Sequence, residues 1–135
     1  MVYDEGRVRR DGEVLPIECL RIRQNGKPRN NRNLHFHDYT ELLFGLHGSA
    51  RVLIGNGTTV LEAGGLTVIQ AGDAHDVCEN GEPCEYIVVK FLPEMLISAE
   101  QTGAEFGYAL TLMEHSAERQ SVFSPAELNG TEIPA

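Results

Sequence analysis

Three histidines and one glutamate hold most of the chemistry that this sequence offers. His35 and His37 stand one residue apart, Glu41 follows four positions later, and His75 lies on a later expected strand. Successive side chains of an extended chain alternate faces, so His35, His37 and Glu41 point to one side wherever the strand keeps its register. Imidazole nitrogens joined by one carboxylate oxygen suit a borderline divalent ion such as zinc, iron, manganese or nickel. His35, His37, Glu41 and His75 are therefore the candidate ligands of one divalent metal. The same four, together with the hydroxyls of Tyr39 and Tyr86, are the candidate contacts of a small bound molecule. Without a metal, an inward Glu41 needs a histidinium, an arginine or a ligand hydroxyl, because an unpaired ionised carboxylate is costly to bury.

Each of these residues also has a plainer reading. The histidines can fill or hydrogen-bond within an interior that holds no metal. Phe36, Tyr39, Phe44, Tyr86 and Phe91 suit a core, His47 beside Gly48 suits an exposed position, and His115 suits the favourable charge of a helix end.

The elements that must position these groups are short strands. Gly48, Gly55-Asn56-Gly57, Gly64-Gly65, Gly72-Asp73 and Asn80-Gly81 punctuate the chain at intervals of roughly eight residues, the spacing of an all-β sandwich or barrel. Between them the stretches 40–46, 50–54, 58–61, 66–69, 74–78 and 86–91 are apolar or alternating, and 14–22 offers one or two strands more. Seven or eight strands fit a small double-sheet barrel that hides its own edges. After Phe91 the pattern changes. Leu92-Pro93-Glu94 opens a helix with proline in its first turn. Thr102 to Glu105 reads as a capping box before the stripe Phe106, Ala109, Leu110 and Met113, which is a packing face or a dimer contact. A second box at Ser124 to Glu127 starts a short helix that Gly130 stops.

The spacing resembles the two cupin motifs. The first is HxH, three or four residues, E, six residues, G, and His35, His37, Glu41 and Gly48 match it, with Arg29 in place of its leading glycine. The second is carried by Gly64, Gly72 and His75, with Gln70 in place of the proline and Glu79 in place of the closing asparagine. The resemblance implies a mainly β fold, a cupin-like double-stranded β-helix or jelly-roll barrel, here with a short C-terminal helical segment. The expected organisation is an N-terminal arm over 1–13, a barrel over 14–92 and a helical tail over 93–135.

At 135 residues and 41% hydrophobic content, the chain makes one domain with one core. No apolar run is long enough to span a membrane and no signal-like start is visible, so the expectation is a cytoplasmic protein without a membrane partner. Cys19, Cys78 and Cys84 lack metal-ligand spacing and read as reduced thiols; a Cys78–Cys84 pair across Asn80-Gly81 is the geometric alternative. Net charge is −9, and from Val52 onward thirteen acids face only Lys90 and Arg119. That balance opposes contact with a phosphate backbone. The basic run Arg21, Arg23, Lys27, Arg29 and Arg32 reads as a solvated loop, from which one arginine can close over an anionic ligand.

A narrower likeness lies in the phrase from His35 to Gly48, the stretch Ser49 to Ile54, the stretch Leu61 to Ile69 and the Gly72 to His75 turn. Over roughly 14–95 the chain is similar to the N-terminal sensor domain of AraC-family transcription regulators. This implies a small polar effector in the barrel, a homodimer, and contact with DNA only through a C-terminal helix-turn-helix domain absent from this chain. The rival reading is a stand-alone metal-dependent cupin enzyme of oxygenase or isomerase type. No phosphate-binding glycine loop and no other acid, base or nucleophile constellation is legible.

Overall fold

Alternation of side chains decides which residues of each strand meet. The computed structural model of the protein describes residues 2–29, 33–55, 57–95 and 122–125. Twelve strands occur among them: β1 (Tyr3–Asp4), β2 (Arg9–Arg10), β3 (Glu13–Val14), β4 (Ile17–Gln24), β5 (His35–Phe36), β6 (Thr40–His47), β7 (Ser49–Ile54), β8 (Gly57–Glu62), β9 (Leu66–Ile69), β10 (His75–Glu79), β11 (Cys84–Phe91) and β12 (Val122–Phe123). One five-stranded sheet runs β1-β5-β10-β7-β8 and the other β12-β9-β6-β11-β4; β2 and β3 form a separate hairpin. From β5 to β12 the chain changes sheet at five of its seven connections, which is the winding of a jelly-roll barrel. The mainly β cupin fold expected from the motifs is what the chain adopts.

The core lies where the inward faces meet. Leu43, Ile69, Cys84, Tyr86 and Val88 come from one sheet and Ala50, Val52 and Leu61 from the other. Strand register turns this alternation into rows. Leu43 pairs with Thr67 and Val88, and Val88 with Leu20, which makes a largely aliphatic row across four strands. Two residues along the strands, Glu41 pairs with Ile69 and Lys90, and Lys90 with Glu18. A charged row therefore lies directly beside an aliphatic one.

Three sequence expectations change here. First, His35, His37 and Glu41 do not share the face of one strand: β5 ends at Phe36 in one sheet, and β6 begins at Thr40 in the other. Glu41 meets the histidines because the two sheets face each other. Second, Arg21 and Arg23 are not in a solvated loop; they lie on β4, and both pair with Glu85 of β11. Third, the stretch expected as a helical tail contributes a strand, since β12 pairs with β9. The expected helices from Leu92, Thr102 and Ser124 lie outside the described residues beyond Met95 and Pro125. No described helix is long and apolar enough to cross a membrane.

The N-terminal arm is tied to the barrel by main-chain pairing. β1 runs parallel to β5, with Tyr3 opposite His35. The β2–β3 hairpin turns on Asp11 and Gly12, both at positive φ, as a two-residue hairpin turn demands.

Gly48 and Gly55 allow a controlled test of turn sterics. Both sit at positive φ, but a Cβ at Gly48 would run into the Pro83 carbonyl oxygen, whereas one at Gly55 would meet nothing within 4 Å. Gly55→Ala is expected to cost only the left-handed backbone penalty, about 1–2 kcal/mol. Gly48→Ala should cost clearly more, because backbone must move. Urea denaturation of the two variants checks the order, and equal losses would contradict the packing described for Gly48.

Candidate metal and ligand site

The histidines converge through strand pairing. His35 on β5 and His75 on β10 are directly opposed partners, and their ring centroids lie 4.4 Å apart. His37, in the crossing from β5 to β6, places its ring 4.8 Å from His75 and 5.9 Å from His35. His37 and His75 are each 1% exposed and Glu41 is 4% exposed. The four residues singled out from the sequence are thus gathered in one place.

All three rings are oriented by the same device. The Nδ1–H of His35 donates to the Asn33 carbonyl at 2.7 Å, that of His37 to Tyr39 at 3.1 Å and that of His75 to Asp73 at 2.8 Å. A carbonyl oxygen only accepts, so Nδ1 carries the proton and the neutral ring keeps its lone pair on Nε2. The Nε2 atoms of His37 and His75 are buried and have no hydrogen-bond partner. They do face Glu41, at 3.5 Å from His37 Nε2 to Oε1 and 3.3 Å from His75 Nε2 to Oε2. These separations exceed the usual 2.7–3.2 Å range of a nitrogen-to-oxygen hydrogen bond.

The three imidazoles are the kind of donors a divalent ion would take. Two donors that each lie about 2.1 Å from one ion stand roughly 3.0–3.5 Å apart across octahedral to tetrahedral angles. The nitrogen-to-carboxylate distances fall in or at the edge of that window. One donor atom each from His35, His37 and His75 lie within 4.8 Å of one another, a little beyond the roughly 4.2 Å spanned by two opposite ligands. The unpartnered Nε2 atoms of His37 and His75 beside the Glu41 carboxylate, with each of the three rings held from behind by a carbonyl, are the kinds of donor and support that a divalent ion would take.

Charge is distributed unevenly around the carboxylate. Burial alone would push the Glu41 pKa up, but contact with the His37 and His75 rings, and the charges of a protonated His75 and of Lys90, outweigh it, taking it from 4.5 to about 2. Burial would likewise lower the pKa of His75, yet Glu41 raises it on balance. Lys90 is only 12% exposed and stands 4.0 Å from Glu41 Oε1 and 2.9 Å from Glu5 Oε1. Glu5 in turn places Oε2 3.5 Å from His35 Nε2.

A cavity of about 250 Å³ opens beside these groups. His35, His75, Glu41, Lys90 and Glu5 line one part of it, and Leu20, Ile22, Leu43, Val77 and Val88 supply aliphatic walls. Gln24, Arg29, Asp76 and Tyr86 complete the lining. Tyr86 is buried, and burial moves its hydroxyl pKa strongly upward, so it remains a neutral donor and acceptor. Gln24 donates to it at 3.3 Å. Tyr39, by contrast, does not line the cavity: its hydroxyl donates to the Leu15 carbonyl at 2.7 Å and accepts from the Val8 amide at 3.2 Å. It fastens the arm and holds the carbonyl that orients His37. Arg29 lines the cavity with its guanidinium on Asp76 at 2.9 Å. Cys78 and Cys84 are buried and Cys19 is exposed.

Sequence reading missed Lys90 and Glu5. Lys90 sits in a run taken as apolar, although it shares the inward parity of Tyr86 and Val88 on β11, and that parity was the available signal. Glu5 reaches the site only because β1 joins β5, which no spacing discloses.

A family model described as the AraC-like ligand binding domain matches residues 20–124. No curated protein matches significantly. Among solved structures, a conserved SPY1581 protein of unknown function from Streptococcus pyogenes is 20% identical over 61% of this chain and 69% of that one, with a TM-score of 0.53. FeII HppE is 18% identical over 56% and 43%, with a TM-score of 0.50. A cupin 2 conserved barrel domain protein from Salinispora arenicola CNS-205 is 16% identical over 77% and 78%, with a TM-score of 0.49. At these identities the first two likenesses are ones of fold.

The depressed pKa of Glu41 sets a pH dependence for the metal-free protein. Its contribution to stability is fully present above the ordinary carboxylate value of 4.5 and is lost as pH falls from there toward 2. In the presence of a chelator, the unfolding free energy of the wild type should therefore drop over that range more steeply than that of Glu41→Gln. Parallel pH profiles for the two proteins would show that the carboxylate is not held by His37, His75 and Lys90.

Proposed function

Since the chain belongs to the family of AraC-like ligand binding domains, we propose that it is the sensor of a transcription regulator, taking a small polar effector into the barrel. In this reading it passes its occupancy to a helix-turn-helix domain outside this sequence, and it works as a homodimer in the cytoplasm. The observation that carries the reading is the cavity itself: aliphatic walls with charged and imidazole groups gathered in one part. A volume of about 250 Å³ lies just below the usual span of roughly 300–1,000 Å³ for drug-sized ligands, so the effector is a small molecule. Its polar groups meet His35, His75, Glu41 and Lys90, and Gln24 and Tyr86 offer a second set of hydrogen bonds.

His35, His37, His75 and Glu41 would hold a divalent ion, which when bound supplies Lewis acidity and a point of attachment for an oxygen-bearing effector. The orphaned Nε2 atoms support this part of the reading. They equally support the rival, a metal-dependent cupin enzyme, which the same residues would serve. Sensing requires more than binding: the effector must prefer one arrangement of the arm or tail over another, since equal affinity for both shifts nothing.

Two measurements separate these readings. Metal analysis of protein purified without added metal, followed by zinc titration, should show one ion per chain; His37→Ala is expected to weaken zinc binding by more than about 100-fold, since losing a ligand exceeds the 10–100-fold cost of losing its support. A wild type that neither carries nor takes up an ion removes the metal from the proposal. A small molecule that raises the unfolding temperature of this chain should change the DNA affinity of the full-length protein at least about fivefold. Turnover of that molecule without any effect on DNA binding would favour the enzyme.

A further inference from the structure

Glu5 stands outside the four residues assigned to the metal, yet its carboxylate is brought to them by a defined path. The Tyr3 amide donates to the Leu34 carbonyl at 3.3 Å and the Glu5 amide to the Phe36 carbonyl at 2.9 Å, so the arm is hydrogen-bonded along the strand that carries His35. The Tyr3 ring lies 5.7 Å from the His35 ring. Beyond Glu5, Arg7 pairs with Asp38 at 3.0 Å and the Val8 amide reaches the Tyr39 hydroxyl. The Glu5 side chain lines the cavity from this anchored segment.

Its distances repeat those of Glu41. Glu5 Oε2 is 3.5 Å from His35 Nε2, while the Glu41 oxygens are 3.5 and 3.3 Å from the Nε2 atoms of His37 and His75. Each imidazole therefore has a carboxylate oxygen within 3.5 Å, the outer edge of the separation between two ligands of one ion. Lys90 lies between the two carboxylates, 2.9 Å from Glu5 and 4.0 Å from Glu41. One ammonium against two carboxylates leaves a surplus of negative charge, which a divalent cation offsets.

We propose that Glu5 is a second carboxylate donor of the metal centre, carried by the N-terminal arm, so that the site is complete only when the arm is docked. This rests on the reading that the three imidazoles hold a divalent ion. Coupling follows by linkage: an ion bound partly through Glu5 holds the arm down, and a docked arm tightens the ion by the same factor. In this scheme Lys90 is the counter-charge of the empty site.

Cobalt(II) alone serves as the probe, with its visible absorption reporting the ligand set and hydrogen exchange at the Glu5 amide reporting the arm. Four proteins are compared: wild type, Glu5→Gln, Arg7→Ala and His37→Ala. Glu5→Gln is expected to weaken cobalt binding about 10–100-fold and to shift the absorption of the saturated protein. Arg7→Ala loosens the same arm without removing the carboxylate, so it should weaken binding less and leave the saturated spectrum unchanged. Cobalt should slow exchange at residue 5 in the wild type and not in Glu5→Gln. Thermal unfolding of each variant confirms that the barrel is intact.

If the wild type binds cobalt, His37→Ala does not, and Glu5→Gln matches the wild type in affinity and spectrum, the role of Glu5 is overturned while the histidine site stands. If the wild type binds no cobalt, the metal reading fails and this inference fails with it.

Discussion

An ionised carboxylate that is 4% exposed, set one row from Leu43, Val88 and Leu20, must be held by opposite charge or by hydrogen-bond donors. Glu41 is that group, and much of the surrounding structure follows from its need. Lys90 is its cross-strand partner on β11, His37 and His75 reach it from the crossing segment and from the facing sheet, and Glu5 holds the far side of Lys90. The result is a chain of charges that ties both sheets and the arm together at one place. Because Nε2 of His37 and His75 can accept but, in the neutral ring, cannot donate, this arrangement does not fully satisfy the carboxylate. A cation placed between them does.

The preparation of the rings is a backbone property. Each imidazole is held by a carbonyl two residues away, so the proton is fixed by the local turn of the chain rather than by a distant side chain. Tyr39 shows how closely the parts depend on one another: its carbonyl orients His37 while its hydroxyl secures Leu15 and Val8. The arm and the orientation of the His37 ring are therefore joined through one residue. Its aliphatic walls and polar groups divide the cavity by chemistry, and this division comes directly from strand rows that alternate in character along β6 and β11.

Much of this was legible in the sequence. The glycine-punctuated strands from Thr40 to Phe91 fall within a residue or two of their expected bounds, because period-two alternation and turn chemistry are local signals. The four candidate ligands were found for a partly mistaken reason. The alternation argument puts His35, His37 and Glu41 on one strand, whereas the chain crosses between sheets from Phe36 to Thr40, and facing strands rather than shared parity bring Glu41 to the histidines. Tyr39 was assigned to the ligand when its hydroxyl belongs to the arm, since an inward tyrosine does not announce which partner its oxygen will find. Lys90 and Glu5 were missed: one is concealed in an apolar run, and the other depends on β1 pairing with β5 across more than thirty residues of sequence. The family match over residues 20–124 supports the sensor assignment and is silent about both.

The central claim is that this fold presents three imidazoles with protonated Nδ1 and a free lone pair on Nε2, gathered about one buried carboxylate. Nitrogen-15 NMR of histidine-labelled, metal-free protein at about pH 9, where histidine is normally neutral, reads the tautomer of each ring directly. The account predicts the Nδ1–H form for His35, His37 and His75. Nε2–H tautomers at His37 and His75 would contradict it, because those rings would then be donating to Glu41 and would have no lone pair to offer a metal.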